Sequence, residues 1–556
     1  METSRILFII PPYFDVDDYL GQTRTSVLPP FTIPYGILSL DAYLKQRCRK
    51  QVEVSVLDLN LPLKKLVEQN SKIDCLALFN ELLRERIAAF NPDVIGLSAL
   101  FSISYRYLED LAHTAKQAQP QALVLAGGGL PSAAFRLLLE SCPSVDAVCK
   151  GEGEIPLAAL IDAEDRRQCL EAHPSWITHQ GVAAGKEPAH TFIEDLDEIP
   201  IFDYEIIDLN DYNSRSIDKR FVGAPKREMA IHTSRGCPFK CVFCSNPSLH
   251  GRDVRFMSVP RVVEEVRRMK EQHGMTVLLI EDDHFFHDKA RAKTILRELA
   301  AFDIRVEFPN GVAVYALDDE VAALFAKAGV STVALAVESG SDYVLNKIIK
   351  KPLKTSMIRE KVALLRKHNV QSHVFIVIGL PGELDEHRQQ TWDLLIDAGF
   401  DWVHVFCAIP IVGSRLYDIC VENGYIANSS AFDQVNTKSV IRAPGVDPEA
   451  IQRTAYEMNL SVNFVHNYNM RSGRYDTAIR YFQNVVDKYP DHAFGHYFLA
   501  QAYAARGGAP EIVQSAQQAF AEIVQRDPWW RELAEHFELS IDTNQETPAS
   551  ARVACR

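Results

Sequence analysis

Short apolar runs alternate with amphipathic segments through the first 160 residues of the chain. Segments of helical spacing, such as Ile33–Leu44, separate these runs. Short apolar strands between helices are typical of parallel pairing, in which both faces of the sheet are buried. Residues 1–160 are therefore predicted to form a doubly wound α/β sheet, and its strand candidates are Arg5–Ile10, Val52–Leu57, Asp93–Ala99, Ala122–Ala126 and Asp146–Lys150.

A second alternation of strands and helices covers residues 226–430. Its pattern predicts a partial (β/α)6 barrel, in which functional residues gather at the carboxyl ends of the strands. The irregular segment 161–225, with the acidic stretch Asp195–Tyr204, is interpreted as a connector between the two domains. The strand candidates of the barrel are Met229–Thr233, Val277–Ile280, Arg305–Phe308, Val333–Val337, Val374–Ile378 and Val403–Phe406.

From residue 431 to residue 545 the pattern is helical only. The segment Gly473–Gly507 resembles a tetratricopeptide helix pair, and a looser copy ends at Asp527-Pro528. Fewer than three repeats do not bury a continuous core, so we expect these helices to pack on the barrel or on a protein partner. The polar tail 546–556 is predicted to be disordered. The residues at typical repeat positions are Gly473, Tyr475, Ala478, Pro490, Ala500 and Tyr503.

Net charge, apolar runs and cysteine usage indicate which partners and which cellular compartment to expect. The formal net charge of the 556 residues is −14, which disfavours a nucleic-acid partner because such proteins usually carry a basic surplus. No run of about eighteen apolar residues is present, so no membrane span is expected, and the short run Ile6–Ile10 does not resemble a signal core. Most of the eleven cysteines are scattered singly, as in reduced proteins. We therefore expect a cytoplasmic protein.

Three cysteines do cluster, in the segment from His232 to Asn246. Cys237, Cys241 and Cys244 are separated by three and two residues, which lets one loop place three thiolates around a cubane iron–sulfur cluster. Three ligands leave one iron free to bind a substrate. A structural zinc site is the alternative, with His232 or His250 as the fourth ligand.

This loop, which follows the first predicted barrel strand, resembles the signature of the radical S-adenosylmethionine (SAM) superfamily. The resemblance implies a [4Fe-4S] cluster whose free iron chelates SAM. It also implies that a one-electron reductant, such as flavodoxin or ferredoxin, starts the cleavage of SAM to methionine and a 5′-deoxyadenosyl radical. Phe243 matches the aromatic residue that lies near the adenine in this superfamily.

Three further motifs follow in the order of the superfamily. The segment Ile280–Phe285 resembles the DDxF motif, which implies that Asp282 and Asp283 receive the ammonium group. Val337–Ser341 resembles the ESGS motif, in which a glutamate binds the ribose hydroxyls. The segment Ile378–Glu383 contains a glycine whose backbone approaches the adenine. The residues assigned to SAM by these resemblances are Phe243, Asp282, Asp283, Glu338, Ser339 and Gly379.

Before the barrel, the chain resembles the cobalamin-binding domain that precedes many radical SAM enzymes. The resemblance includes Pro11-Pro12, Pro34–Gly36 and Pro92–Ser98, and glycine turns at strand ends would admit the nucleotide tail of cobalamin. The alternative is a doubly wound domain that binds another ligand or none. The residues that the resemblance assigns to this cofactor are Ser98, Gly127, Gly128, Gly129, Gly151, Glu152 and Gly153.

One departure from the family concerns the lower axial ligand of cobalamin. Other cobalamin proteins carry a DxHxxG motif, whereas no histidine precedes His113 in this chain. We therefore predict that cobalamin binds without a histidine ligand, and that its lower face meets the segment Ala99–Tyr105. The candidate contacts there are Leu100, Phe101 and Tyr105.

The two domains together indicate methylation of an unactivated carbon in a small molecule, a lipid or another natural product. The substrate is expected to enter near Ala408–Tyr417, at the end of the last barrel strand. A cobalamin-dependent cyclase, a ring-rearrangement enzyme and an oxidation enzyme remain alternatives.

Two further alternatives are weighed against the sequence. A tRNA or protein methylthiotransferase would need three more clustered cysteines, and the four before the barrel are dispersed. A non-catalytic scaffold would need a vestigial cysteine loop. The dispersed cysteines are Cys48, Cys75, Cys142 and Cys149.

Overall fold

The computed structural model describes residues 3–13, 32–63, 74–212, 227–427 and 438–539, so the predicted tail 546–556 lies outside the described residues. The N-terminal part contains a six-stranded sheet in the order β2-β1-β3-β4-β5-β6. The first five of these strands pair in parallel, which confirms the predicted parallel sheet. The strands are β1 (Thr3–Ile10), β2 (Gln51–Asp58), β3 (Val94–Ser98), β4 (Leu123–Gly127), β5 (Ala147–Cys149) and β6 (Trp176–Thr178).

Helices cover both faces of this sheet. Leu7 and Ile9 of β1 belong to one hydrophobic cluster, whereas Ile6 and Phe8 belong to the cluster on the opposite face. Because successive strand residues point to opposite faces, burial on both sides explains the unbroken apolar run of β1. The helices are α1 (Tyr35–Arg47), α2 (Cys75–Phe90), α3 (Tyr105–Ala118), α4 (Gly129–Ser141), α5 (Glu154–Asp162), α6 (Arg166–Ala172) and α7 (His179–Ala183).

The N-terminal sheet extends beyond the predicted boundary at residue 160. Strand β6 pairs antiparallel with β5, from Ala147–Thr178 to Cys149–Trp176. The segment that the sequence predicts as the start of a connector therefore completes the sheet. Three residues are too few to produce a recognisable strand pattern, which is why the prediction was wrong there.

The central part contains two three-stranded parallel sheets, in the orders β11-β10-β7 and β12-β13-β14. An isolated parallel bridge between Val312 and Leu335 links them, which supports the partial barrel that stays a prediction. A short antiparallel pair, β8 with β9, carries the cysteine loop. The strands are β7 (Glu228–Ile231), β8 (Ser234–Arg235), β9 (Arg255–Phe256), β10 (Val277–Ile280), β11 (Arg305–Glu307), β12 (Thr332–Glu338), β13 (Gln371–Ile378) and β14 (Trp402–Cys407).

Helices alternate with these strands along the chain, and a π-helix over Val344–Ile349 follows β12. Among the described residues, none of the helices has the length and apolar composition that crossing a membrane requires. The helices of the central part are α8 (Pro247–His250), α9 (Val259–His273), α10 (Lys289–Leu299), α11 (Asp319–Lys327), α12 (Ile358–Lys367), α13 (Asp385–Ala398) and α14 (Arg415–Glu422).

The C-terminal part is helical, as predicted, and it begins by packing on β14. The side chain of Asn463 bonds both the N–H and the C=O of Val403, each at 2.8 Å. Asn459 does the same for Val405 at 3.1 and 3.0 Å. These two amides occupy an edge of β14 that would otherwise present unpaired backbone groups. The helices are α15 (Pro448–Leu460), α16 (Tyr468–Arg471), α17 (Tyr475–Lys488), α18 (Ala493–Arg506), α19 (Pro510–Arg526) and α20 (Pro528–His536); their tetratricopeptide character stays a prediction.

Candidate active site

The three clustered cysteines lie on the loop that joins β8 to β9. Gly236 opens this loop with φ of 95°, and a Cβ atom there would lie 2.3 Å from the carbonyl oxygen of Asp253. Only glycine therefore allows the two ends of the loop to come so close. The N–H of Gly236 donates to Oδ2 of Asp283 at 2.8 Å, which fixes the start of the loop against the end of β10.

The three thiols are free and partly buried, and they share one electrostatic environment. Burial raises the pKa of Cys241 to about 11; Lys351 opposes this shift, while Cys244 and Cys237 add to it. Burial also raises the pKa of Cys237 and of Cys244. No carboxylate stands between Cys237 and Cys244 in the sequence. Three thiols that lie on one loop and act on one another's pKa are the kind of donor an iron–sulfur cluster requires, so the residue types fit the implied [4Fe-4S] group.

The histidines of the zinc alternative have other partners. Nδ1 of His250 lies 2.9 Å from Oε1 of Glu152, and Nε2 of His232 lies 3.5 Å from Oε2 of Glu281. Within the described ranges, no group of three or more His, Cys, Asp or Glu residues is arranged to hold a metal ion. Both imidazoles therefore belong to contacts outside the cysteine loop.

The two aspartates after β10 have different surroundings. Asp282 is buried, and its carboxylate accepts hydrogen bonds from the N–H and hydroxyl of Thr233 and from the hydroxyl of Ser234, each at 2.6 Å. Its side chain braces the turn between β7 and β8, so the predicted ammonium contact by Asp282 is corrected. Asp283 lies beside the cysteines, and its charge adds to the effect of burial in raising the pKa of Cys237.

The end of β12 is strained at Glu338, where φ is 72° in a residue other than glycine. Such strain costs about 1–3 kcal/mol and is concentrated at functional sites. Nζ of Lys351 lies 2.8 Å from Oε1 of Glu338, and both side chains are largely buried. Sequence reasoning missed Lys351. The sequence feature that could have pointed to it is the pair Lys350-Lys351, which follows the ESGS segment closely.

The neighbouring Ser339 is turned away from this carboxylate. Its hydroxyl lies 3.2 Å from Oγ1 of Thr391 on α13, and its side chain is fully buried. The hydroxyl of Ser339 therefore braces the loop after β12 against α13, and the predicted contact of Ser339 with SAM stays a prediction. The hydroxyl of Ser341, also buried, has no hydrogen-bond partner.

Gly379 is required by the packing of the C-terminal part. A Cβ atom on it would lie 2.6 Å from Cγ2 of Ile451 on α15. Its N–H donates to Oε2 of Glu383 at 2.5 Å, so this N–H is already used within the loop. The predicted approach of the Gly379 backbone to the adenine stays a prediction. Phe243 is partly buried and packs against the core of the central domain.

The carboxyl edge of the N-terminal sheet presents large apolar side chains to solvent. Leu100 is 58% exposed and Phe101 is 51% exposed, immediately after β3. The ring of Phe101 lies 5.9 Å from the ring of Tyr13, which follows β1. Ligands of doubly wound sheets bind at this edge, and an exposed apolar patch suits a broad, flat ligand face. The hydroxyl of Tyr105 instead lies 2.8 Å from Oγ of Ser141 on α4.

The glycines after β4 shape this edge. A Cβ on Gly128, where φ is 96°, would lie 2.6 Å from the carbonyl oxygen of Ala99. A Cβ on Gly129 would lie 3.1 Å from the carbonyl oxygen of Leu100. Gly127 pairs in register with Ser98. These glycines therefore let the loop that carries Leu100 lie close against the neighbouring strand end.

The loop after β5 faces the central domain. Glu152 is buried and is bound by Arg255, by Arg235 and by His250, all from the region around the cysteine loop. Although burial acts in the opposite direction, these cations hold the pKa of Glu152 well below its usual range. The Glu152 side chain therefore forms an interdomain ion pair, and the predicted contact of Glu152 with cobalamin stays a prediction.

The glycines on either side of Glu152 also pack against other segments. A Cβ on Gly151 would lie 2.5 Å from the ring of His190 and 3.2 Å from the carbonyl oxygen of Leu249. A Cβ on Gly153 would lie 3.1 Å from Leu40. These glycines therefore pack closely at the domain interface, and their predicted role in admitting cobalamin stays a prediction.

The loop after β14 meets the N-terminal domain. A Cβ on Gly413 would lie 2.6 Å from Cβ of Ala133 on α4, and Val412 is buried in the hydrophobic cluster of the N-terminal sheet. The segment Ala408–Tyr417, predicted as the substrate entrance, therefore lies where the two domains touch.

Two family models match the chain. The radical SAM superfamily model matches residues 231–395, and the B12 binding domain model matches residues 22–161. The chain is 29% identical over 406 residues to cytidylyl-2-hydroxyethylphosphonate methyltransferase of Streptomyces wedmorensis, covering 67% of this chain and 75% of that protein. It is 26% identical over 328 residues to anaerobic magnesium-protoporphyrin IX monomethyl ester cyclase of Rubrivivax gelatinosus, covering 58% of this chain and 57% of that protein.

The fold agrees with a solved structure of the same two-domain type. The cobalamin-dependent S-adenosylmethionine radical enzyme OxsB aligns over 98% of this chain and 82% of its own, with a TM-score of 0.60 and 13% identity. At that identity the likeness describes the fold alone. The two family models place a B12-binding domain before a radical SAM domain, so the chain belongs to the cobalamin-dependent radical SAM enzymes.

Proposed function

We propose that this enzyme is a methyltransferase that adds a methyl group to an unactivated carbon of a small molecule, a lipid or another natural product. The observation that carries the proposal is the ion pair of Glu152 with Arg235. Glu152 belongs to the loop after β5 of the B12-binding domain, and Arg235 stands two residues before Cys237. The B12-binding domain and the cysteine loop are thus joined by buried ion pairs, which supports joint action of the two proposed cofactors.

We assign the cluster to Cys237, Cys241 and Cys244 and the ribose of SAM to Glu338. When bound, the cluster and SAM supply a 5′-deoxyadenosyl radical that removes a hydrogen atom from the substrate, and cobalamin supplies the methyl group. Lys351 holds the carboxylate of Glu338 in place through its 2.8 Å contact. A carboxylate is a suitable acceptor for two hydroxyl groups. Asp283 anchors the start of the cysteine loop, and Phe243 remains the residue proposed near the adenine.

For cobalamin we propose the carboxyl edge of the N-terminal sheet. Leu100 and Phe101 would cover the lower face of the corrin, and Ser98 and Gly127 lie at the same edge. This segment contains no histidine, so the lower face would lack an imidazole ligand. Axial ligands tune the reactivity of such cofactors, and weak ligation favours release of the methyl group as a radical.

We keep the predicted domain boundaries, except that the N-terminal sheet extends to Thr178. The two parallel sheets of the central part support the partial (β/α)6 barrel. The tetratricopeptide-like interpretation concerns α17 and α18, and the packing of α15 on β14 supports the expectation that this region rests on the barrel domain. A cytoplasmic location and an external one-electron donor remain part of the proposal.

A second candidate is a cyclase, a ring-rearrangement enzyme or an oxidation enzyme that uses the same cofactors. The similarity to the cyclase of Rubrivivax gelatinosus favours it, but the match to the methyltransferase covers a larger share of both chains. A methylthiotransferase finds no support in the cysteines before the barrel, since Cys142 and Cys149 are buried in different hydrophobic clusters.

The test is anaerobic reconstitution of the full chain with iron, sulfide and cobalamin, followed by incubation with methyl-labelled SAM and candidate substrates. We expect a product that is heavier by one labelled methyl group, together with 5′-deoxyadenosine. An unlabelled product would support the cyclase or oxidation alternative. Protein that takes up zinc or no metal under these conditions would refute the proposal. Cys237→Ala is the inactive control, and Cys420→Ala, a buried cysteine on α14, is the matched active control.

A further inference from the structure

Cationic side chains surround the cysteine loop on a chain that is otherwise acidic. Residues 237–252 and 344–354 contain six Lys and Arg residues and no Asp or Glu, although the net charge of the whole chain is −14. Asp253 and Asp342 flank these two segments. The cations are Lys240, Arg252, Lys347, Lys350, Lys351 and Lys354.

The two segments are joined in space at the cysteines. The N–H of Val242, the neighbour of Cys241, donates to the carbonyl oxygen of Ile349 at 2.9 Å. Ile349 ends the π-helix and directly precedes Lys350. On the other side of the loop, the guanidinium of Arg252 donates to the carbonyl oxygen of Phe239. The lysines of the π-helix segment and the cations of the loop therefore form one surface next to the cysteines.

The six cationic side chains divide into one that contacts Glu338 and five that are exposed to solvent. Lys351 points inward to Glu338 and belongs to the candidate SAM site. The other five side chains are exposed, and together they are called the cationic surface here: Lys240, Arg252, Lys347, Lys350 and Lys354.

Lysines elsewhere in the central domain are placed differently. Lys293 lies against Asp318 and Glu320, and Lys367 lies against Asp319. Such pairs are usual for a solvated charged face. The two segments that form the cationic surface contain no Asp or Glu. Carboxylates of the same segments therefore do not neutralise its lysine and arginine charges. Surfaces of one sign attract partners of the opposite sign and raise association rates.

We propose that the cationic surface docks an acidic protein that donates one electron, of the flavodoxin or ferredoxin kind. The inference rests on the proposed function, because the proposed cluster must receive one electron before SAM is cleaved. In the docked complex one electron leaves the reduced centre of the donor and enters the cluster; the donor is oxidised, the cluster is reduced, and no covalent bond forms or breaks. Electron transfer slows steeply with distance, and this surface lies next to the cysteines, since its segments are hydrogen-bonded to the loop at Val242 and at Phe239.

The test measures the rate of cluster reduction in the reconstituted holoenzyme by stopped-flow absorbance. The variant Lys347→Gln/Lys350→Gln/Lys354→Gln is compared with Lys327→Gln/Lys367→Gln/Arg480→Gln, which removes the same charge from exposed positions elsewhere. With reduced flavodoxin at low salt, we expect the first variant to react about tenfold more slowly or worse, and the control to react as the wild type does. High salt should remove most of the difference, because it screens exposed charges. With dithionite, all three proteins should react alike.

Three results would overturn the inference. The first is that the variant Lys347→Gln/Lys350→Gln/Lys354→Gln loses as much rate with dithionite as with flavodoxin. The second is that this variant keeps the wild-type rate with flavodoxin. The third is that the reduction rate with flavodoxin does not depend on salt. A charge-preserving variant, Lys347→Arg/Lys350→Arg/Lys354→Arg, should keep the flavodoxin rate, which separates charge from folding. Wild-type protein that carries no reducible cluster would instead refute the proposed function, so the two failures are distinguishable.

Discussion

Arg255 donates two hydrogen bonds to the carboxylate of Glu152, at 2.9 and 2.5 Å, across the interface between the two domains. The two residues are 103 positions apart. Arg235 joins the same carboxylate at 3.1 Å, and both guanidinium groups are buried. A bidentate arginine–carboxylate pair is geometrically specific as well as strong. This contact fixes the B12-binding domain relative to the cysteine loop.

Glu152→Gln should therefore loosen the interface. It leaves the buried guanidinium of Arg255 without a carboxylate partner, whereas Arg235 keeps Glu154 at 2.9 Å, and it is expected to cost about 3–5 kcal/mol of unfolding free energy. Chemical denaturation would measure the loss, and limited proteolysis between the domains should become faster. Glu53→Gln, which removes an exposed partner of Arg5, should change the unfolding free energy by less than about 1 kcal/mol. Equal effects of the two substitutions would contradict the assigned role of Glu152.

Replacing Asp282 by Asn should affect mainly stability, whereas replacing Glu338 by Gln should affect mainly SAM binding. Glu338→Gln is expected to weaken SAM binding about tenfold or more, with iron content retained, because the charged acceptor for the ribose and for Lys351 is lost. Asp282→Asn should lower the unfolding free energy by about 2–4 kcal/mol, because it disturbs three buried hydrogen bonds. SAM affinity per cluster should then stay unchanged. Calorimetry with SAM and thermal unfolding separate the two effects.

Leu100→His offers a direct test of cobalamin binding without histidine. In the wild type, we expect the electron paramagnetic resonance spectrum of bound cob(II)alamin to lack nitrogen splitting. The variant should gain this splitting, because an imidazole then stands in the segment proposed for the lower face. Leu137→His, at another partly exposed leucine, is the control and should leave the spectrum unchanged. Histidine nitrogen splitting in the wild type would show the prediction to be wrong.

Glu383 should make stability depend on pH. Burial raises the pKa of Glu383 from 4.5 to about 7, against the opposing effect of the Gly379 N–H and of Arg388. Between these values the folded state keeps a proton that the unfolded chain has released, so the free energy of unfolding falls as the pH rises. The fall is at most about 1.4 kcal/mol per pH unit, and it ends once the pH exceeds the folded pKa.

Glu383→Gln should remove this contribution. The difference in unfolding free energy between wild type and variant, measured at intervals through this pH range, should shift in favour of the variant as the pH rises. Glu386→Gln, at an exposed neighbour, should leave the wild-type slope intact. A constant difference for Glu383→Gln would contradict the raised pKa.

Asn463→Ala should destabilise the attachment of the C-terminal part. The N–H and C=O of Val403 would both lose their partner, at a cost of about 2–5 kcal/mol for two buried groups. Asn423→Ala, which removes a local and exposed bond to Ile419, is the matched control and should have little effect. Thermal unfolding of the two variants would compare them, and similar midpoints would argue against the edge-capping role of Asn463.

The patterns that the sequence predicts correctly are local. The strand candidates around Ile6, Leu278 and Val374 all form, because an apolar run buried on both faces has few other solutions. The spacing of the cysteines brings the three thiols together, since all three belong to one loop. The side-chain contacts that the motifs do not reveal depend on distant partners: Thr233 lies 49 positions from Asp282, and Thr391 lies 52 positions from Ser339.

The sequence by itself determined the class of enzyme, through a cysteine spacing and an order of short motifs. Only the tertiary structure decided which groups pair with each carboxylate. The fold brings two arginines to Glu152, hydroxyl groups to Asp282 and the ammonium group of Lys351 to Glu338. The physical reason is that a motif records which groups are near one another along the chain, but hydrogen bonding and ion pairing depend on which groups are near one another in space.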